Sequence, residues 1–369
     1  MNPVRIHFDN QTFRLQRYGG ISKYFVRLAK ELKGLGQNPK ILGGFYINNY
    51  LRDIDPSLRT GTHMVSFPKR SIRVLRDLGN VINSGYQLVN PPNIIHETYF
   101  SDKPFLKGNQ ARVVTEYDAL HELFPELFPS SYLKTKEKQA AFDRSDLVIS
   151  ISHHTKSDML NFFNIDEKKI KVTHLAADEP LPDSLIITPP MQRRPFFLYV
   201  GIRLKHKNFE GFVKAFSQSE KLMKNFDIVA FCPQGFSRKE LDSFQALGFE
   251  KDQIRWEAGD DNKLAGFYKA AYAFVYPSLY EGFGIPPLEA MGYNCPVVCS
   301  NTSSLPEVVG ESALTFNPNN LEEIQTQLEK IGESESVREE YILKGNERFQ
   351  QFSWERTSIE TLQLYRQLL

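Results

Sequence analysis

At 369 residues and a net charge of +1, the chain is long enough for two separate cores and has no bulk charge to draw it to nucleic acid. Its three cysteines, Cys232, Cys295 and Cys299, are an odd number without zinc-ligand pairing, which suits reduced thiols in a cytosol better than a disulfide framework. Met1–Arg5 lacks the apolar run of a signal peptide, and no window reaches the ~20 apolar residues that span a bilayer, so the expected location is cytoplasmic.

In chain order, Val4–Phe8 reads as a first strand, and Ile21, Phe25, Leu28, Ala29 and Leu32 recur at helical spacing. The loop between them ends in Tyr18-Gly19-Gly20 and lacks the Gly-x-Gly-x-x-Gly fingerprint of a nicotinamide enzyme. Gly19 and Gly20 sit just before the helix, where an anion can be met; a plain helix start is the other reading. Asp53-Ile54-Asp55 is formally Asp-x-Asp, but its surroundings read as a loop, and no metal or other cofactor is expected. From Phe67 to Leu78 basic and apolar residues mix. If helical, the segment places Ile72, Leu75 and Leu78 on one side and Lys69, Arg73 and Arg76 beside it, a pattern that suits an anionic membrane surface. An ordinary helix with a solvated basic side fits as well.

Strands are expected at Ile94–His96, Arg112–Thr115 and Leu147–Ile151, with helices over Tyr132–Arg144 and Thr155–Phe163. Such alternation implies a parallel α/β layer. The Pro-rich stretch from Leu181 to Pro195 reads as a linker. Beyond it, Phe196–Val200, Ile228–Cys232, Ile254–Trp256, Ala273–Tyr276, Val297–Cys299 and Ala313–Phe316 read as a second strand series. Trp354–Leu369 has the spacing of a terminal helix.

Two stretches carry chemistry. The first runs from Tyr276 to Met291: an apolar strand, the loop Glu281-Gly282-Phe283-Gly284, then Ile285-Pro286-Pro287, where prolines suit a first helical turn. Glycines let backbone amides approach a ligand, and a helix N-terminus favours phosphate. Glu281 on the loop and Glu289 in the helix frame that site, and carboxylates bind sugar hydroxyls well. The second stretch, Phe197 to Asn208, is a strand ending in Gly201, then a basic loop with Arg203, Lys205, His206 and Lys207. Asn208 is placed to cap the next helix.

The Tyr276–Met291 string resembles the Glu-x7-Glu motif of retaining GT-B glycosyltransferases of family 4, also called glycosyltransferase group 1, and the likeness runs along nearly the whole chain. It implies two doubly wound Rossmann-like α/β domains facing a cleft. Residues 1–180 would form the acceptor-side domain, 181–195 the linker, 196–352 the donor-binding domain, and 353–369 a helix crossing back to the first domain. The loop ending in Lys207-Asn208 matches the family lysine that grips the donor diphosphate. The family often has Arg just before that lysine; here His206 stands there, so Arg203, or else Lys205, would be the second cation.

By the same resemblance, Glu289 holds ribose, Glu281 contacts the sugar near the reacting carbon, and Phe283, Gly284 and Ile285 offer amides. Gly19 and Gly20 face the donor phosphates or the acceptor. Many relatives carry His-Asp where this chain has Tyr117-Asp118; Asp118 is the candidate catalytic group, with Tyr117 or His121 in place of the missing histidine. Ser152 ends a family strand at the cleft edge. The implied activity is metal-independent, retaining hexosyl transfer from a nucleotide-diphosphate sugar, with GDP-mannose the expected donor. The acceptor is a glycan or lipid-linked acceptor in cell-surface polysaccharide synthesis, handled at or near the inner face of the membrane. A sugar-nucleotide epimerase or phosphorylase of the same fold, or a non-catalytic nucleotide-sugar binding module, are the rival readings.

Overall fold

The computed structural model describes residues 2–67, 72–190 and 193–369. It divides into two compact units, residues 1–175 with 354–369, and residues 176–353. Each is built on one parallel sheet. In the first, β1 (Arg5–Phe8), β2 (Asn38–Tyr46), β3 (Arg59–His63), β4 (Ile94–Glu97), β5 (Ala111–Glu116), β6 (Leu147–Ser150) and β7 (Ile170–Val172) line up in the order β3-β2-β1-β4-β5-β6-β7. In the second, β8 (Phe196–Val200), β9 (Asp227–Phe231), β10 (Ile254–Glu257), β11 (Ala273–Tyr276), β12 (Val297–Ser300) and β13 (Leu314–Phe316) take the order β10-β9-β8-β11-β12-β13.

The strands expected from apolar runs are present. β2, β3 and β7 are additional. β2 opens on Asn38-Pro39 and is interrupted by Gly43-Gly44, where its pairing with β3 shifts register. β3 (Arg-Thr-Gly-Thr-His) has no apolar residue at all, and β7 is three residues long. Asp53 ends a short helix, Asn49–Asp53, and pairs with Arg52; Asp55 turns to Lys33 and caps the next turn at Ser57. The Pro-rich stretch packs as part of the second unit: the Leu181 amide donates to the Tyr293 hydroxyl at 3.0 Å, and the Ile187 amide to the Asn262 carbonyl at 3.1 Å.

The second unit packs a phenylalanine-rich core, with Phe197, Phe212 and Phe216 fully buried on one side of its sheet. In the first unit the terminal helix Trp354–Gln367 packs on the helix Gly20–Gly34. Its Tyr365 hydroxyl lies 2.6 Å from His96 Nδ1, and the other ring nitrogen of His96 is 2.9 Å from Thr115 Oγ1. Both nitrogens of this fully buried imidazole are thus engaged, and burial pushes its pKa down from 6.5 to about 3.

A histidine kept neutral in the fold but free to protonate once unfolded loses its stabilisation as pH falls from 6.5 towards 3, at up to about 1.4 kcal/mol per pH unit. Asp9 pulls the other way: burial, then the charge of Glu97, raises its pKa from 3.8 to about 6, so its share of stability is lost as pH rises through that window. The variant, not the wild-type profile, therefore isolates His96. We predict that His96→Gln lowers stability at pH 7.5, and that the deficit shrinks steadily on acidification to pH 5, as read by urea unfolding at each pH.

Candidate functional site

β8 and β11 are neighbours, yet the chain leaves β8 in one direction, through β9 and β10, before returning to β11 on its other side. Ligands of open α/β sheets bind at the carboxyl ends of strands where the order reverses in this way. The two motif loops leave from these two ends. Gly201, at φ 133°, turns the chain out of β8 into a single 3-10 turn, Lys205–Lys207. Asn208, at φ 52°, then starts the helix Phe209–Ser217 without capping it; its side-chain Nδ2 donates instead to the Pro318 carbonyl at 2.8 Å, which corrects the cap expected from sequence. From β11 the loop runs to the helix Ile285–Gly292, with its prolines in the first turn. Gly284 needs its φ of 110°, and a Cβ there would meet Leu305 at 2.7 Å.

These turns bring Lys207 Nζ to 2.6 and 2.8 Å from the two oxygens of Glu281, although the residues are 74 apart in sequence. The ammonium also lies 5.8 Å from the centre of the Tyr276 ring. Both side chains are mostly buried, 23% and 12% exposed, so the pair is shielded but within reach of a ligand. A backbone bond from the Leu279 amide to the His206 carbonyl, 2.7 Å, ties the two loops together. Glu289 accepts from the Tyr268 hydroxyl at 3.2 Å, and Tyr268 is stacked on Tyr293.

Sequence marks Asn301–Gly310 as an architectural stretch but does not show that it braces Glu281. Thr302, Ser303 and Ser304 follow β12 and meet the loop with their hydroxyls. Ser303 Oγ accepts from the Glu281 amide at 3.0 Å, Ser304 Oγ donates to the carbonyls of Glu281 and Phe283 at 2.9 and 2.7 Å, and Thr302 Oγ1 donates to the Leu279 carbonyl at 3.2 Å. Three successive hydroxyls after a strand were the available signal.

Other expected residues stand differently. Arg203 is not a free second cation. Its guanidinium is held by Glu240 at 2.6 Å and by the carbonyls of Gln234 and Gly235, and it lies over the Phe236 ring. His206 is buried and meets the Glu281 loop through its carbonyl, while Lys205 is exposed. Phe283 is buried against Phe352; Ile285 begins its helix half-buried.

In the first unit, Tyr117 is buried, with its ring against those of Tyr24 and Phe100. Ser152 is fully buried and caps the helix His153–Phe162 through the Thr155 amide. Asp118 is half-buried, accepts from the Leu120 amide, and its carbonyl is held by Lys138 at 2.6 Å. That lysine sits between Glu116 and Glu122 at 2.8 and 2.9 Å, fully engaged and kept charged. The His121 ring lies tilted against Phe128, and burial, then Lys138, lowers its pKa. Gly19 precedes the helix Gly20–Gly34, and its carbonyl accepts from Ser22, which Asn48 grips in turn. A Cβ on Gly20 would meet nothing within 4 Å, so packing alone does not require glycine there.

Residues 187–348 match the family described as glycosyl transferases group 1. That stretch spans most of the second unit. The whole chain is 29% identical over 370 residues to O-antigen chain mannosyltransferase B of Escherichia coli, covering 95% of this chain and 96% of that one. It is 24% identical to O-antigen chain mannosyltransferase RfbU of Salmonella typhimurium, over 74% of this chain and 88% of the other. Among solved structures, sucrose-phosphate synthase from Thermosynechococcus elongatus superposes with a TM-score of 0.77 at 18% identity, covering 99% of both chains. The fold is that of the GT-B glycosyltransferases.

In this transferase domain the hydroxyl brace is separable from the charged pair. We predict that Ser304→Ala, which frees two carbonyls of the Glu281 loop, lowers kcat/KM by roughly tenfold, equivalent to about 1.4 kcal/mol, through a loop that no longer holds its carboxylate in place. Steady-state kinetics beside a thermal melt checks this: an activity loss matched by a general loss of folded protein would assign Ser304 to stability alone.

Proposed function

We propose that this glycosyltransferase moves mannose, with retention and without a metal ion, from GDP-mannose to a glycan or lipid-linked acceptor in cell-surface polysaccharide synthesis. The observation that carries the reading is the Lys207–Glu281 pair at the switch point, with Glu289 on the helix that follows. The names of the two mannosyltransferase relatives support the choice of sugar.

The chemistry follows from the pair. Without donor, each side chain neutralises the other. A diphosphate carries more negative charge than one carboxylate and would draw Lys207 away. Glu281 is then free to accept hydrogen bonds from the sugar. As the bond from the anomeric carbon to the phosphate oxygen breaks, charge grows on the diphosphate, where Lys207 and the amides of Phe283 to Ile285 oppose it. The acceptor oxygen attacks on the same face, and its proton passes to the departing phosphate oxygen. Arg203, tied to Glu240, acts by shaping the loop. Glu289 takes the ribose hydroxyls, its carboxylate oriented by Tyr268. The first unit receives the acceptor, with Asp118, the Gly19-Gly20 loop and His121 as its candidate contacts. An epimerase would use the same nucleotide grip but release a free epimer, whereas a phosphorylase would bind phosphate in place of a nucleotide and release a sugar phosphate.

A membrane surface as partner draws support from the helix Ile72–Val89. Lys69 lies outside the described residues, as does the side chain of Arg73, and Arg76 pairs with Asp77. Beside the exposed Arg76–Asp77 pair the helix shows an apolar stripe: Val74, Leu78, Val81, Ile82, Leu88 and Val89 are each 45–84% exposed. Asn83 and Gln87 are buried instead. No helix among the described residues is long and apolar enough to cross a membrane, so the contact would be peripheral.

Incubation with a panel of nucleotide sugars, with and without chelator, tests the reading. GDP-mannose should be consumed with release of GDP and formation of an α-mannoside, and the rate should survive chelator. A free epimer or mannose phosphate as sole product, an inverted linkage, or activity restored only by a divalent ion would each overturn the corresponding part. For the surface, co-sedimentation with phosphatidylglycerol vesicles should fall several-fold in Val81→Ser with Ile82→Ser; undiminished binding would remove this helix from the account.

A further inference from the structure

A second polar site lies in the first unit, at the amino ends of β1 and β2, the opposite end of the sheet from the loops considered above. Arg5 pairs with Asn38 and His7 with Lys40 across the two strands. Residues two apart on a strand share a face, so these four stand on one side of the sheet, opposite Ile6 and Phe8. The later turns of the helix Ile72–Val89 cover that side. The Tyr86 ring is 5.6 Å from His7, and the Asn83 amide donates to the Leu42 carbonyl at 2.8 Å. A polar sheet face thus explains why this helix packs through Asn83 and Gln87. The fit is incomplete: Asn83 Oδ1, Gln87 Nε2 and His7 Nδ1 are buried without a hydrogen-bond partner.

A cavity of about 370 Å³ opens here, lined by Arg5, His7, Lys33, Lys40, Tyr86 and Asn90 among others. Its charge is one-sided. Lys33 is paired with Asp55, and Lys40 donates to the Ser57 carbonyl. Arg5 has no acidic partner among the described residues. Three cations therefore face one carboxylate. His7, only 3% exposed, is held neutral: burial, then Lys40, then Arg5, bring its pKa down to about 4.

We propose that this cavity binds a small phosphate-bearing anion, gripped by Arg5 and Lys40 and hydrogen-bonded by His7. The volume suits a phosphate or a small phosphate ester. Guanidinium and ammonium groups make their strongest hydrogen bonds to such oxyanions. An anion here offsets the two cations that hold His7 neutral, so occupancy raises the histidine pKa. By linkage, the site binds more tightly as pH falls towards the range where His7 takes its proton.

The test is a histidine-ring NMR titration of the full-length protein with inorganic phosphate, and with sulfate, whose charge does not change over the pH range. His7→Gln assigns the resonance. Because His7 reports locally, anion bound at the Lys207 loop does not confuse the result. The expected outcome is a saturable shift of the His7 signal and a rise of its pKa by about one unit or more, relative to chloride at equal ionic strength. Arg5→Gln with Lys40→Gln should weaken the response roughly tenfold or more, the loss expected for charge-assisted bonds. A His7 signal that titrates identically in phosphate, sulfate and chloride would overturn the proposal, as would a response undiminished in the double variant.

Discussion

One ion pair joins the two motif loops of the second unit. Lys207 and Glu281 come from different motif loops, and nothing short of the reversal in strand order between β8 and β11 puts them side by side. A mostly buried lysine without its carboxylate, or the reverse, would leave a charge with little water to solvate it. In the proposed mechanism the pair stores a cation at low cost until a stronger anion arrives, and the event that commits Lys207 to the diphosphate releases Glu281 to the sugar.

The parts around the pair serve to keep it in place. The Leu279–His206 backbone bond fixes the spacing of the loops, and the hydroxyls of Thr302, Ser303 and Ser304 fix the shape of one of them. Arg203 does the same for the other loop by bonding Glu240 and two carbonyls. Rigid support of this kind lets a loop carry binding groups without the conformational entropy of a free segment. The first unit spends its buried polar groups differently, on the seating of its terminal helix through His96 and on the polar face between β1, β2 and the helix Ile72–Val89.

Much of this was legible in the residues. Parallel strands covered on both faces read as continuous apolar runs, so β1, β4, β5, β6 and the whole second series stood out. β3 did not, because an edge strand of Arg-Thr-Gly-Thr-His has no such run, and β2 is broken by two glycines. The placement of Lys207, Glu281 and Glu289 on the loops and helix at the strand ends was legible because motif spacing records which loop a residue occupies. What each side chain touches was not, since partners come from distant strand ends. Hence Arg203 looked like a free cation until Glu240 stood beside it, and Ser152 and Tyr117 looked like cleft residues although one caps a helix and the other packs between rings. The contacts of the serine brace were not legible because hydroxyls after a strand have many uses, and only the fold shows which carbonyls they meet.

Calorimetric binding of GDP to wild type and to Glu281→Gln tests the central claim most directly. If Glu281 competes with the diphosphate for Lys207, the neutral variant should bind GDP several-fold more tightly, roughly the factor expected from removing a partly screened rival charge, while transferring mannose more slowly. Weaker binding of GDP by Glu281→Gln would contradict the account, because the carboxylate would then be helping to hold the nucleotide rather than holding its place.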